Sequence, residues 1–285
     1  MKQVNVIVIG APRSGTNMLR DVLTSLTGVA SWPCDEINYI WRHGNVFHKS
    51  DEFDKSLATH RVCTYIRKQF RWVARKYSAQ VVVEKTCANS LRLPFVDAVV
   101  PDAKYIFVYR NGLDVVSSAM KRWNAAMDWR YLARKARFVP ATDIPYYAGR
   151  YLWNRIYRVL NRDGRLAFWG PQLADMDELL MKYPLDEVCA LQWQKCVQRA
   201  QSAFSSMPTD RWHRVVYEDF VYEPKAELER ILQFLEIDST PARSREAIHG
   251  IRSDSVGKGR ANMDADSVHR VSARIGSTLR ELGYL

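Results

Sequence analysis

The chain has 285 residues, 47% of them hydrophobic, which is enough for a sizeable core and excludes intrinsic disorder. No run approaches the ~20 apolar residues that span a bilayer, and Val4–Ile9 is too short for the apolar region of a signal peptide. The formal net charge of +11 suits an anionic partner (nucleic acid, an acidic membrane surface, a small polyanion or a glycan) without choosing among them.

Val4–Ile9 is a continuous apolar run rich in β-branched residues, which predicts a strand buried on both faces. A glycine-containing turn follows, and Met18–Leu26 then repeats apolar residues at helical spacing. Gln80–Val83, Lys104–Tyr109 and His213–Tyr217 are further strand runs of the same kind. Pro224–Leu235 opens with proline at a first-turn position and carries Leu228, Ile231, Leu232 and Leu235 on one stripe. This alternation predicts an α/β fold, a parallel central sheet flanked by helices. Residues from about 123 to 203 show no strand run, and Pro140, Pro145, Gly170–Pro171 and Pro184 break them into short segments of a mostly helical insertion. No repeat divides the chain, so residues 1–285 read as a single domain. The five cysteines (Cys34, Cys63, Cys87, Cys189 and Cys196) form no C-x-x-C pair and read as reduced thiols of a cytoplasmic protein, with no disulfide framework and no metal site.

Ligands of open parallel sheets bind at the carboxyl ends of the strands. Four polar clusters stand at four such ends: Gly10–Asn17, Glu84-Lys85-Thr86, Arg110-Asn111-Gly112 and Tyr217-Glu218-Asp219. The first combines a glycine-permitted turn with a helix N-terminus, where the amides of Ser14, Gly15, Thr16 and Asn17 favour an anion. Gly10-x4-Gly15 matches the glycine part of a Walker A loop, but Thr16 and Asn17 replace its Lys and Ser/Thr, and the cation is Arg13 inside the loop. That substitution argues against hydrolysis of nucleoside triphosphates and for phosphate binding without a metal. Arg110 and Ser118, eight residues apart, are placed to share a second phosphate. Asp114, four residues before Ser118, reads as a cap of the intervening helix.

The loop Ala11-Pro-Arg-Ser-Gly-Thr16, the Arg110…Ser118 pair and Tyr217-Glu-Asp followed by Glu223-Pro224 resemble the elements of sulfotransferases that use 3′-phosphoadenosine 5′-phosphosulfate (PAPS). The resemblance runs from Gly10 to about Leu235 and includes a terminal Leu282-Gly-Tyr284. It implies a P-loop-like sulfotransferase fold and a PAPS donor, with the first loop on the 5′-phosphosulfate, Arg110 and Ser118 on the 3′-phosphate, and Tyr217 near the adenine. Lys258-Gly259-Arg260 is similar to the family's tail that closes on the 3′-phosphate. Two departures stand out: Arg13 where cytosolic members have Lys, and Met18 where they place an adenine-stacking Trp.

Sulfuryl transfer by in-line displacement requires stabilisation of the leaving oxygen and a base for the acceptor hydroxyl. Arg13 suits the first role. Glu84 is the candidate base, because Glu84-Lys85-Thr86 is similar to the Glu-Lys-Ser/Thr element of glycosaminoglycan sulfotransferases; Lys85 would touch the sulfate or tune that carboxylate. The alternative is a structural pairing of Glu84 with Lys85 or Arg13. His43 and His48 follow the first helix in a loop with Asp35, Glu36 and Asn38 that could line the acceptor cleft. Trp123, Trp129, Arg130, Arg134, Arg137, Trp153 and Arg155 suit either sugar binding or helix packing. The acceptor expected from the Glu-Lys-Thr element is a carbohydrate hydroxyl. The rival readings are a small-molecule P-loop kinase, a basic nucleic-acid-binding protein and an inactive scaffold of the same fold.

Overall fold

The computed structural model describes residues 3–123, 136–160 and 169–285, with side chains of residues 154, 155 and 157–160 outside the described set. Five parallel strands form one sheet: β1 (Val4–Ile9), β2 (Val29–Ala30), β3 (Val81–Lys85), β4 (Lys104–Tyr109) and β5 (Trp212–Val216), in the order β2-β3-β1-β4-β5. The register pairs Ile7 with Glu84 and Val8 with Lys85, and on the other side Val8 with Ile106. Four of the strands match the expected runs. β2 went unforeseen because two residues carry no periodicity, and β3 runs on to include Glu84 and Lys85.

Strand alternation divides the core into two layers. Val6, Val8, Val83, Ile106 and Val108 pack beneath α1 (Thr16–Thr24) and the helix Pro224–Leu235, whose Leu228, Ile231, Leu232 and Leu235 are the stripe read from sequence. On the other face Ile7, Ile9, Val82, Tyr105 and Phe107 meet the remaining helices. In chain order these include α2 (Asn38–Trp41), α3 (His60–Lys76), α4 (Leu93–Val99) and α5 (Gly112–Trp123). They continue with α6 (Ile144–Leu160), α7 (Met176–Lys182) and α8 (Leu185–Phe204). After β5 the chain forms α9 (Tyr217–Tyr222), α10 (Pro224–Leu235) and α11 (Pro241–Ile248), whose Phe220, Leu228 and Ile248 pack on the first face, and then α12 (Lys258–Asn262) and α13 (Ala265–Glu281).

The expected insertion is not wholly peripheral. α8 is a twenty-residue core helix packed on α5 and α13, and it buries Cys189 and Cys196 on one face. Trp123 and Trp193 are fully buried packing residues, whereas Trp153 is 60% exposed. Trp129, Arg130 and Arg134, and the side chain of Arg155, lie outside the described residues. No described helix is long and apolar enough to cross a membrane.

Candidate active site

The turn from β1 into α1 reverses within six residues, and Arg13 (φ 71°) and Gly15 (φ 91°) both adopt left-handed backbone. Gly15 is required twice over. A Cβ there would lie 2.8 Å from Tyr217 Cε2 and closer still to Cδ2, because the tyrosine ring packs flat against the loop. Tyr217, at the end of β5, also supports Arg110, whose guanidinium carbon sits 4.3 Å from the ring centroid. Arg110 in turn reaches the loop through Nη1 and the Arg13 carbonyl, at 3.5 Å. Arg13 donates from Nε to Ser118 Oγ at 2.9 Å. Burial, and next the nearby Arg122, hold the Arg13 pKa below its usual value, the mark of a cation short of counter-charge.

These groups open on one cavity of about 1170 Å³ at the carboxyl ends of the strands. Arg13, Gly15, Thr16, Asn17, Arg110, Ser118 and Tyr217 all line it, so the first loop and the Arg110…Ser118 pair form a single site. Ser14 is fully buried behind the loop. Asn17 Oδ1, Ser14 Oγ and Arg110 Nε are buried with no hydrogen-bond partner. Lys258 and Gly259 also line the cavity, whereas Arg260 is exposed on α12 and does not.

The Glu84-Lys85-Thr86 cluster divides between the two faces of the sheet. Glu84 follows Val82 into the layer beneath α4, where it is fully buried and does not line the cavity. It pairs with neither Lys85 nor Arg13: Thr86 Oγ1 donates to Oε1 at 2.5 Å and Asn89 Nδ2 to Oε2 at 2.9 Å. Burial pushes its pKa up to about 7, against the pull of those bonds. Lys85, one residue on, lies on the opposite face and in the cavity wall. Its Nζ meets Glu36 Oε1 at 3.2 Å, and its charge also pulls the Glu84 pKa down from across the strand. Burial works against the Lys85 ammonium, but Glu36 and its neighbours outweigh it and raise the pKa.

Glu36 is therefore the acidic side chain beside Lys85 in the cavity, at the end of the β2 loop. The Asp35-Glu36-Asn38 cluster was the signal in the sequence, and the two-residue strand concealed that it stood at a strand end. Asn38, Arg42 and Asp51 extend the same wall. Asp51 is buried between Arg42 at 2.8 Å and Arg92 at 3.4 Å, and these arginines overcome its burial to keep its pKa low. Arg92 also holds Asn38 Oδ1 at 2.6 Å and Asn89 Oδ1 at 2.9 Å, linking the buried Glu84 network to the cavity wall. His43 and His48 do not line the cavity; His43 Nδ1 lies 2.9 Å from Asp143, and His48 bonds the Ser50 carbonyl. The far wall comes from the expected insertion: Ile144, Tyr147 and Tyr151 of α6, and Trp169.

One further expectation is revised, and one contact is added. The helix α5 is capped by Asn111, whose Oδ1 accepts from Leu113 N at 2.9 Å, while the Asp114 carboxylate bonds elsewhere. Within Tyr217-Glu-Asp it is Glu218 that braces the site, accepting from Asn111 N at 3.0 Å and from Tyr284 OH at 2.7 Å. This links the terminal Leu-Gly-Tyr to the Arg110 turn.

A parallel sheet whose first turn and neighbouring strand ends converge cations on one cavity defines an anion-binding α/β protein of the P-loop type. The chain belongs to the sulfotransferase family: the model of the sulfotransferase domain matches residues 3–278, which makes sulfuryl transfer its class of chemistry. The fold is similar to the sulfotransferase domain from the curacin biosynthetic pathway, with a TM-score of 0.56 and 13% identity over 97% of this chain and 98% of that one. It is also similar to sulfotransferase STF9 from Mycobacterium avium, with a TM-score of 0.55 and 14% identity over 99% of this chain and 77% of that one. Mouse sulfotransferase SULT7A1, solved in complex with PAP, gives a TM-score of 0.50 and 11% identity over 98% and 86% of the two chains. No curated protein sequence matches the chain.

Proposed function

We propose that the protein transfers the sulfuryl group of PAPS to an acceptor hydroxyl on a carbohydrate, by in-line displacement. The single observation that supports the donor most is the union of two anion sites in one cavity, the first loop and the Arg110…Ser118 pair, joined by the Arg13 Nε bond to Ser118 Oγ. PAPS supplies the sulfuryl group and a phosphate leaving group. Arg13 and the loop amides stabilise charge that builds on the leaving oxygen. Arg110 and Ser118, both in the cavity wall, hold the 3′-phosphate. Glu36 takes the proton of the acceptor hydroxyl, and Lys85, 3.2 Å away, holds that carboxylate in place. Glu84 supports the wall from behind. Aromatic Tyr39 and Trp169 with hydrogen-bonding Asn38 and Gln172 suit a sugar ring. Five free thiols suit the reducing cytoplasm.

Adenosine 3′,5′-bisphosphate without Mg²⁺ should raise the melting temperature, with about 2.7 kcal/mol of added stability at a hundredfold excess over Kd. ATP with Mg²⁺ should do much less, and Arg110→Ala should abolish the response. Equal shifts with both nucleotides would sink the donor assignment. Labelled PAPS offered with sugars, phenols and lipids tests the acceptor, and label found only in phenols or lipids would overturn the carbohydrate.

A further inference from the structure

A carboxylate in the wall of an anion site needs a reason, because it repels the ligand. Asp114, in the first turn of α5, is such a group: it is buried and lines the cavity. Its charge is taken up within the protein. Oδ2 accepts from Gly257 N at 2.9 Å and from Arg110 Nη2 at 3.3 Å, and Oδ1 accepts from Gly259 N at 2.5 Å. The same Arg110 Nη2 donates to the Ser255 carbonyl at 2.5 Å, and Ser255 Oγ meets Tyr217 OH at 2.7 Å. A strap of five residues, 255–259, is thereby fastened to the three groups that frame the donor end of the cavity. Its glycine at 259 permits the approach: a Cβ there would lie 2.5 Å from Asp114 N.

Two consequences follow from this wiring. The Gly257 and Gly259 amides face Asp114, and the strap turns side chains toward the cavity, Lys258 and, just beyond it, Asn262. Arg110, meanwhile, uses Nη2 on Asp114 and the strap and still lines the cavity, so one guanidinium can hold the strap and meet an anion together. We propose that Asp114 is a positioning residue for the donor: it fastens strap 255–259 against the donor end of the cavity and aims Arg110. Donor affinity then depends on a carboxylate that itself repels the donor. The inference rests on the PAPS reading for the identity of the ligand, but not for the fastening.

The test uses the full chain with two independent variants, Asp114→Asn, which removes the charge, and Gly259→Ala, which pushes the strap off while leaving Asp114 intact. Each should weaken adenosine 3′,5′-bisphosphate by about tenfold or more and raise the donor KM similarly, with kcat changed by less than about threefold. Trypsin should cut the unliganded variants faster than the wild type at Arg252, Lys258 and Arg260, with the rest of the chain resistant. Unchanged strap cleavage in the variants overturns the fastening, and faster cleavage with unchanged bisphosphate affinity overturns its role toward the donor. If the wild type itself binds no bisphosphate, the donor reading fails, and the trypsin comparison still decides the fastening. Should Asp114→Asn not fold, Gly259→Ala carries both measurements.

Discussion

Replacing Glu84 by Gln separates a buried support from a catalytic base. Burial raises the Glu84 pKa from 4.5 to about 7, so the folded protein holds this proton more tightly than the open chain does. A group of this kind stabilises the fold at low pH. Its contribution is fully present below pH 4.5 and is lost as pH rises through about 7. The interval from 4.5 to about 7, at about 1.36 kcal/mol per pH unit, sets the loss at about 3 kcal/mol. Glu84→Gln abolishes the titration while keeping a hydrogen-bonding group opposite Thr86 and Asn89. Urea unfolding between pH 4.5 and 8 should show the variant gaining on the wild type by about 3 kcal/mol as pH rises. The difference between the two proteins cancels other titrating groups, among them His213, whose pKa burial lowers. Turnover at saturating donor should survive within about tenfold, because Glu84 does not line the cavity, whereas removing a base costs about 10²–10⁴. Parallel stability curves would refute the burial argument. A thousandfold loss of turnover with stability and donor binding intact would restore Glu84 as the base.

Glu36→Gln should show the opposite pattern in turnover, a loss of about 10²–10⁴ with donor KM little changed. Steady-state kinetics against donor concentration checks it. Gly15→Ala forces a left-handed alanine into the Tyr217 ring and should cost at least about 1–2 kcal/mol, with loss of the thermal response to adenosine 3′,5′-bisphosphate. An unaltered response would mean that Tyr217 moves away freely and does not brace the loop.

The half of the site proposed for the donor was legible because its parts are local. Gly10–Asn17 contains its own turn, cation and helix start, and Arg110 and Ser118 lie on one strand end and the helix that follows. Buried parallel strands announce themselves as apolar runs, so the residue after each run could be placed on a common rim. The acceptor half was not local. Which of two adjacent residues, Glu84 or Lys85, faces the cavity depends on the face of β3 that α1 covers, and neither composition nor motif states that. Glu36 was hidden for a related reason, since β2 is too short to carry periodicity and exists only by pairing with β3. Asp114 looked like a helix cap because sequence spacing relates it to its own helix; its partners Gly257 and Gly259 lie 143 and 145 residues away. Sequence alone determined the anion loop, the second cation and the α/β class, all of which follow from short-range geometry. Tertiary structure decided which carboxylates meet the cavity and which are tied up within the protein, because those assignments depend on faces and straps brought together only by folding.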